Sequence, residues 1–321
     1  MSLSQPKRIL IIKLRHHGDV LLSTPVVDAL KTRFPDCEID MLVYAGTEQL
    51  IADNPQIAQI FTIDRNWKKL GVFKQLACEK NLFSKLKARD YDWAFNLSDQ
   101  WRAAIIAKLC ARCSVGLDCI KRDGFWWRFC HDFINHELDP SHHIVENQLN
   151  ILAPLIQPED VADAKVRLWV AQDARESMRQ KLREQGWNGE DYVLMHPGAR
   201  WHFKCWEDGK NAAIVQLLLN SGQNVVLTAS HNTVEQYMLQ EIIGRLNIPE
   251  GRKVYVLSGC LSLRELAAAI EGAKLFIGVD SAPMHIAAAL DKPQIALFGA
   301  SWVDKWRPYS EQAEVIYAGD Y

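Results

Sequence analysis

The 321-residue sequence lacks any apolar run of the roughly 18–20 residues that a membrane-spanning helix needs. It also lacks the pattern of a signal peptide, because the short apolar run at 9–12 is followed at once by Lys13 and Arg15. The sequence therefore predicts a cytoplasmic protein, although one that can still contact a membrane surface.

A strong charge of one sign is missing as well. The 37 Lys and Arg residues are offset by 39 Asp and Glu residues, which leaves a formal net charge of −2. A general electrostatic attraction to nucleic acid is therefore not indicated. Hydrophobic residues make up 48% of the chain, and together with its length this predicts two globular domains.

The eight cysteines do not form a clear metal-binding pattern. Cys110 and Cys113 form a CxxC, with Cys119 and Cys130 nearby. However, the segment around Cys110 has the pattern of an amphipathic helix rather than of a zinc knuckle. In a cytosolic chain we expect thiols rather than disulfides, and we predict no metal site.

Several motifs of common enzyme classes are absent. No GxGxxG follows the first predicted strand, so a nicotinamide-dependent oxidoreductase is poorly supported. The phosphate-binding GxxxxGK[ST], the GxSxG of hydrolases and the HExxH of metalloproteases are missing too. The segment 90–92 is a DxD, as metal-dependent sugar transferases use, but it precedes a predicted strand and is interpreted as a chance match.

The sequence does contain two series of short apolar runs that alternate with helical patterns. This alternation predicts an α/β protein with a parallel, doubly wound sheet in each half. The boundary is expected near residue 165, giving domains 1–165 and 166–321, and the pattern is blurred from 117 to 160. Strands are predicted at 8–14, 37–44, 57–64, 92–97, 192–196, 224–229, 254–257, 275–280 and 294–299.

Ligands of open parallel sheets bind outside the carboxyl ends of the strands, so the residues that follow each predicted strand are the candidates for a binding site. GVDSAPMHIAAAL follows a strand and begins a helix, whose free amides and dipole can hold an anion. Asp280 and His285 can both face that site. Alternatively, Asp280 caps the helix and His285 packs beneath the loop.

Two further strand ends carry candidate residues. In HPGARWHFKCW, residues 196–206, Gly198 allows a close backbone approach and Lys204 can neutralise a phosphate, unless this is an ordinary exposed loop. In LRHHGDVLLSTP, Asp19 stands at the start of a predicted helix. It is either a helix cap or a carboxylate able to accept a proton. Lys13 and Arg15, which lie nearby in the sequence, can hold an anionic partner.

These segments resemble the ADP-heptose:lipopolysaccharide heptosyltransferases, glycosyltransferase family 9. The resemblance rests on KRILIIKLRHHGDVLLSTPVVDALK, HPGARWHFKCW and GAKLFIGVDSAPMHIAAALDKPQIALFG. With NLSDQW at 96–101, the first segment looks most like heptosyltransferase III, which adds a heptose branch to the second heptose of the inner core. The resemblance implies a GT-B fold, two Rossmann-like domains facing across a cleft, with one or two final helices that cross back to the first domain.

The family further implies a metal-independent, inverting transfer from ADP-L-glycero-β-D-manno-heptose, without a cofactor. By resemblance, Asp19 is the general base and Lys204 neutralises the departing diphosphate. The expected donor-binding residues are Gly198, Ala199, Leu261, Asp280, Ser281, Ala282 and His285. An acidic residue after the strand at 224–229 is expected to bind the ribose, and Glu235 is the candidate nearest to that position.

The acceptor implied by the family is a phosphorylated, lipid-anchored inner-core oligosaccharide at the cytosolic face of the inner membrane. Basic residues suit this partner, and we expect Lys13, Arg15, Lys68 and Lys69 to bind it. The aromatic segment FWWRF, 125–129, lies either on sugar rings or the membrane interface, or within a core cluster. The alternatives are a nucleotide-sugar-binding protein without turnover and heptosyltransferases of subtype I or II.

Overall fold

The computed structural model describes residues 5–118, 122, 124–136, 138 and 141–319. The chain divides into two compact units, Met1–Arg167 and Leu168–Tyr321. Each unit is built around its own parallel sheet, so the predicted fold class is confirmed. Among the helices in the described part of the chain, none combines the length and the apolar character needed to cross a membrane.

The described part of the first unit contains a six-stranded parallel sheet with the order β3-β2-β1-β4-β5-β6. The direction of winding reverses between β1 and β4, which makes their carboxyl ends the switch point where ligands of such sheets bind. The strands are β1 Arg8–Lys13, β2 Glu38–Tyr44, β3 Gln59–Ile63, β4 Tyr91–Asn96, β5 Ala111–Asp118 and β6 Phe133–His136. The helices are α1 His17–Leu21, α2 Thr24–Arg33, α3 Val72–Ala88, α4 Trp101–Cys110, α5 Phe125–Phe129 and α6 Ile144–Asn150.

Helices cover both faces of this sheet, and this explains why β1 is a continuous apolar run. Ile9 and Ile11 pack on one side with apolar residues of α2. Leu10 and Ile12 pack on the other side with apolar residues of α3 and α4. A parallel strand covered on both faces needs apolar side chains at every position.

The second unit repeats this architecture with the order β12-β11-β10-β7-β8-β9 in its described part. Its switch point lies between β7 and β10, which pair in parallel. The strands are β7 Tyr192–His196, β8 Asn224–Ala229, β9 Val254–Ser258, β10 Leu275–Val279, β11 Gln294–Phe298 and β12 Ala313–Tyr317. The helices are α7 Gln172–Arg183, α8 Asp208–Asn220, α9 Thr233–Ile243, α10 Leu263–Gly272, α11 Ala282–Ala289 and α12 Val303–Trp306.

The single helix expected after the first strand is in fact two helices, α1 and α2. The Ser23 hydroxyl donates to the Val20 carbonyl (2.6 Å) and the Thr24 hydroxyl donates to the Leu21 carbonyl (2.8 Å). Pro25 has no amide hydrogen to continue the α1 ladder. The side-chain hydroxyls therefore replace backbone donors, and the chain turns between the two helices.

The CxxC segment also differs from its predicted helix, because α4 ends at Cys110 and Cys113 lies on β5. Both thiols are buried, and burial raises the pKa of each to about 11, which disfavours the thiolate that zinc requires. Cys119 lies outside the described residues. Among the residues with described positions, no group of three or more His, Cys, Asp and Glu side chains is arranged to hold a metal.

The DxD segment has a structural role at the amino end of β4. Asp90 and Asp92 both accept hydrogen bonds from Arg112, at 2.6 and 3.2 Å. Asp92 also accepts from the backbone amides of Lys7 (2.7 Å) and Arg8 (3.1 Å). These carboxylates are therefore engaged at the edge of the sheet opposite to the switch point.

Candidate functional sites at the two switch points

Asp19 lies in the first turn of α1, directly after the carboxyl end of β1. Its carboxylate oxygen is 3.4 Å from the backbone amide of His16, which is the N-cap residue of this helix. The cap is thus His16, and Asp19 completes the capping box from the third helical position. The contact is long and the side chain is half-buried, so Asp19 remains open to a second partner.

The segment that leads to Asp19 is fixed to the end of β4. The amide of Leu14 donates to the Ser98 hydroxyl (2.6 Å), and the Gln100 amide nitrogen donates to the Leu14 carbonyl (2.8 Å). Lys13 is 4% exposed, and its ammonium donates to the Leu97 carbonyl (3.2 Å). Lys13 therefore ties the two strand ends together beneath the surface.

A buried histidine extends this network away from the switch point. His131 Nδ1 lies 3.0 Å from the Trp127 carbonyl, and Nε2 lies 3.2 Å from the side-chain nitrogen of Asn96. The Asn96 oxygen in turn accepts from the Ser98 amide (3.0 Å). Burial lowers the pKa of His131, so the ring is neutral, with Nδ1 donating and Nε2 accepting.

A cavity of about 290 Å³ opens beside this segment. Arg65 lies over the Tyr44 ring at 4.1 Å, and the Tyr44 hydroxyl donates to the Gln100 side-chain oxygen (2.5 Å). Of the predicted acceptor-binding residues, Arg15 and Lys68 line the cavity, whereas Lys13 and Lys69 are not among its described lining. The lining residues are Leu14, Arg15, His16, Tyr44, Asp64, Arg65, Lys68, Gln100 and Arg102.

The cavity is basic, because Arg15, Arg65, Lys68 and Arg102 outnumber the single carboxylate of Asp64. Arg15 also pairs with Asp99 at 2.9 Å, on the segment after β4. A concave site with several converging guanidinium groups is suited to a phosphate or a carboxylate. The first unit therefore offers an anion-binding cavity next to the segment that holds Asp19.

The second unit brings two predicted residues into direct contact at its switch point. Lys204 follows β7 and Asp280 follows β10, and the Lys204 ammonium lies 2.5 Å from the Asp280 carboxylate. Asp280 is 6% exposed, so its charge depends on this partner for compensation. The lysine is partly exposed, with a side-chain accessibility of 22%, and can reach a ligand while it stays beside Asp280.

A second acidic residue is buried at the same edge of the sheet. Glu235, in the first turn of α9, is 6% exposed and accepts from the Ser230 amide (2.9 Å). Its carboxylate is 3.8 Å from His196 Nε2, and a Cβ at Gly198 would lie 2.7 Å from its Oε2. Burial lowers the pKa of His196 despite the opposing effect of Glu235, so the histidine is neutral.

The start of α11 adds a buried hydroxyl whose hydrogen-bonding capacity is not used within the described structure. The Ser281 hydroxyl is buried and has no hydrogen-bond partner within the described structure. His285, one turn into the helix, is 4% exposed, and Ala282 is the first helical residue. A buried hydroxyl beside free helix amides is an arrangement that an anionic ligand would complete.

Of the remaining predicted donor residues, Ala199 is 8% exposed within the segment after β7. Leu261 is half-buried between β9 and α10, where Ser262 caps the next helix. All the predicted donor residues therefore follow the strands β7, β9 and β10 of one sheet.

Comparison with known proteins identifies the family of this chain. The family model described as glycosyltransferase family 9 (heptosyltransferase) matches residues 80–321.

The chain belongs to glycosyltransferase family 9.

It is 37% identical over 309 residues to lipopolysaccharide heptosyltransferase 3 of Escherichia coli, covering 96% of this chain and 88% of that protein. Two solved structures share this fold. A family 9 glycosyltransferase of Veillonella parvula aligns with a TM-score of 0.85 and 22% identity, over 99% of this chain and 87% of that one. The E. coli ADP-heptose lps heptosyltransferase II aligns with a TM-score of 0.77 and 23% identity, over 96% and 90%. The predicted GT-B fold is confirmed.

Sequence reasoning missed several residues of this family 9 chain that shape the two sites. Tyr44 and Gln100 line the cavity beside Arg65, and the three residues come from the ends of three different strands. In the second unit, the Thr228 hydroxyl is hydrogen-bonded to His196 Nδ1 at 2.9 Å. The sequence signal for Gln100 was present, because it lies in the NLSDQW segment, but nothing in the sequence pairs it with Tyr44.

Proposed function

We propose that this family 9 protein transfers L-glycero-D-manno-heptose from ADP-heptose to an inner-core heptose of lipopolysaccharide, with inversion at the anomeric carbon and without a metal. The observation that carries the proposal is the Lys204–Asp280 pair at the switch point of the second sheet. A cation and a carboxylate in contact suit a donor that has a diphosphate at one end and sugar hydroxyls at the other. The 37% identical relative is a lipopolysaccharide heptosyltransferase, which supports heptose as the transferred sugar and lipopolysaccharide as the acceptor.

In this proposal the second unit binds the donor. Lys204, the Ser281 hydroxyl and the first amides of α11 hold the diphosphate, and Asp280 accepts from the heptose hydroxyls. Gly198, Ala199 and His285 surround the same space, and Leu261 packs against the adenine. Glu235 binds the ribose, which its buried position beside Gly198 supports, because a backbone without a side chain lets the ligand approach the carboxylate.

The first unit binds the acceptor in the basic cavity. Arg15 and Lys68 contact the phosphate or carboxylate groups of the inner core, together with Arg65 and Arg102. Lys69 stays a prediction for the rim of this site. Lys13 acts indirectly, because its buried ammonium holds the Leu97 carbonyl at the end of β4.

The chemistry is one displacement. The acceptor hydroxyl oxygen forms a bond to the anomeric carbon, while the bond from that carbon to the diphosphate oxygen breaks and its electron pair leaves with ADP. The hydroxyl proton passes to the carboxylate of Asp19, a general-base contribution of about 10²–10⁴ in rate. Lys204 and the α11 amides stabilise the charge that grows on the diphosphate.

The acceptor of this reaction is lipid-anchored, so we propose that the protein works at the cytosolic face of the inner membrane. ADP release tests the whole proposal. The protein is mixed with ADP-heptose alone, and then with lipopolysaccharide truncated after the first or after the second inner-core heptose.

Release that requires the acceptor with two heptoses supports a transferase of the heptosyltransferase 3 type. Release with the one-heptose acceptor would instead indicate an earlier step of core assembly. Tight ADP binding without release from any acceptor would contradict transfer and leave a nucleotide-sugar-binding protein.

A further inference from the structure

The start of α3 exposes apolar side chains that the core does not use. Val72 is 70% exposed, Phe73 89% and Leu76 58%. All three lie near the start of the helix, whereas Leu82 and Leu86, further along it, are buried in the sheet packing. We call Val72, Phe73 and Leu76 the α3 patch.

The short helix α5 exposes a second apolar group. Phe125 is 73% exposed, Trp126 69% and Phe129 64%, and the Trp126 ring contacts both phenylalanines, with centroids 5.4 and 6.4 Å apart. Trp127 is 1% exposed, and its indole nitrogen donates to the Leu117 carbonyl (3.1 Å). The buried indole fixes α5 and directs the other three rings to solvent, so only Trp127 belongs to the core. We call Phe125, Trp126 and Phe129 the α5 patch.

Both patches lie at the edge of the first sheet that holds the basic cavity. The α3 patch follows β3 and the α5 patch follows β5, and strands of a parallel sheet all end at the same edge. The cavity residue Lys68 is four residues before Val72, and the cavity residue Arg102 follows Trp101, whose ring contacts Trp127 at 5.5 Å. The two patches therefore border the proposed acceptor site.

The surroundings of the α3 patch are strongly basic. From Arg65 to Arg89 the chain has eight basic residues and one acidic residue, Glu79, although the whole chain has a net charge of −2. Glu79 is paired with Arg102 at 2.7 Å, whereas Lys69, Lys74 and Lys80 are exposed. Exposed Phe, Trp and Leu beside lysines are the composition of helices that lie in the headgroup region of anionic bilayers.

We propose that the α3 and α5 patches together form a surface that docks on an anionic lipid bilayer and presents the basic cavity to it. The proposal rests on the proposed function, because a lipid-anchored acceptor gives this edge of the sheet a reason to meet the membrane. The rings and Leu76 insert at the interface, and the lysines bind the lipid phosphates.

The test compares three proteins and a matched control by sedimentation with vesicles of phosphatidylglycerol and phosphatidylethanolamine, and with vesicles of phosphatidylcholine. They are the unmodified chain, the double variant Phe73→Ser/Leu76→Ser and the double variant Phe125→Ser/Trp126→Ser. The matched control is Leu217→Ser/Tyr237→Ser, which removes two exposed apolar side chains of the second unit, 67% and 62% exposed.

We expect the unmodified chain and the control to bind anionic vesicles, more weakly at high salt, and to bind phosphatidylcholine vesicles poorly. Each patch variant should bind anionic vesicles at least about tenfold more weakly. Equal binding by the patch variants and the control would overturn the proposal. Self-association of the unmodified chain that a patch variant abolishes would also overturn the proposal, because the patches would then be an interface between copies.

A transfer assay separates this proposal from the proposed function. With acceptor embedded in anionic vesicles the patch variants should be slower by about the same factor as their binding, whereas with a deacylated, lipid-free acceptor they should match the unmodified chain. If no protein transfers heptose but the vesicle result holds, the proposed function fails and the docking surface stands. Equal slowing with both acceptors would contradict the docking role.

Discussion

Gly198 lies so close to Glu235 that a Cβ at position 198 would be 2.7 Å from the Glu235 carboxylate oxygen. The absence of a side chain at one residue is therefore a condition for the buried carboxylate of the other. We expect Gly198→Ala to displace Glu235, to weaken ADP binding and to lower the free energy of unfolding by about 1–3 kcal/mol.

A double-mutant cycle with Glu235→Ala measures this relationship by urea unfolding. Once the carboxylate is gone, Gly198→Ala should cost at least about 0.5 kcal/mol less than it does in the unmodified chain. Gly209→Ala is the matched control, because a Cβ there meets nothing within 4 Å and lies in a helix. Strictly additive effects of the two substitutions would refute the steric explanation.

Lys204→Ala should lower the free energy of unfolding, because buried Asp280 loses its partner. It should also lower kcat by about 10²–10³-fold, because the diphosphate loses its charged donor in the transition state. Lys210→Ala provides the comparison, since Lys210 is an exposed lysine paired only with Glu207 and Trp206 among described contacts. Steady-state ADP release measures both. A normal kcat in Lys204→Ala would remove this lysine from the proposed mechanism.

Asp19→Asn should lower kcat by about 10²–10⁴-fold and leave ADP binding nearly unchanged, because the amide cannot take the acceptor proton. Asp36→Asn, at an exposed position before β2, is expected to behave like the unmodified chain. Calorimetry gives the ADP affinity and coupled ADP release gives the rate. Loss of ADP binding in Asp19→Asn would argue against the base assignment.

Ser281→Ala separates ligand binding from folding. The Ser281 hydroxyl has no partner within the described structure, so its removal should change the free energy of unfolding by less than about 0.5 kcal/mol. If the hydroxyl binds a donor phosphate, the ADP dissociation constant should rise by about 5–10-fold. Thermal unfolding with and without ADP reports both quantities. Unchanged ADP affinity would exclude Ser281 from the donor site.

The stability of the protein should depend on pH through His131. Its pKa in the folded chain is lowered from the ordinary 6.5 by burial. Below pH 6.5 the unfolded chain therefore binds a proton at this residue that the folded chain does not bind. As the pH decreases, the free energy of unfolding decreases as well, by up to about 1.4 kcal/mol per pH unit.

Urea unfolding at pH 7.5 and pH 5.5 measures this dependence. His131→Asn removes one of two buried histidines with a lowered pKa and should make the acid side of the profile less steep, although it also lowers stability at both pH values. The part that remains is expected from His196, whose pKa burial lowers to about 4. His202→Asn, at an exposed histidine, should keep the original profile. An equal loss on acidification in His131→Asn and the unmodified chain would show that other groups control it.

The sequence predicted the strands best where both faces of the sheet are covered. The limits of β7 and β8 agree with the predicted 192–196 and 224–229, because both strands are buried over nearly their whole length and are mostly apolar. β12 was not predicted, since it is an edge strand with largely exposed side chains. β5 was not predicted either, because it follows Cys110 of α4 without a turn residue.

The candidate sites show the same division. Lys204 and Asp280 were chosen because each follows a strand, and the strand order makes those two strand ends neighbours. The contact of Tyr44 with Gln100 joins residues 56 positions apart, and no local pattern indicates which of many polar residues will meet across a sheet. The short break between α1 and α2 depends on hydrogen bonds from side-chain hydroxyls to backbone carbonyls, and hydrophobic periodicity does not predict such bonds.

The repeated strand order has a consequence for how such a protein evolves. Each unit carries its own switch point, so the proposed sugar-nucleotide and acceptor sites are encoded in separate halves of the gene. A mutation in the first half can alter which oligosaccharide is extended while the activated sugar stays the same, and the reverse holds for the second half. Specificity for two substrates can therefore diversify along two independent lineages of substitutions, and recombination near residue 167 can join their outcomes.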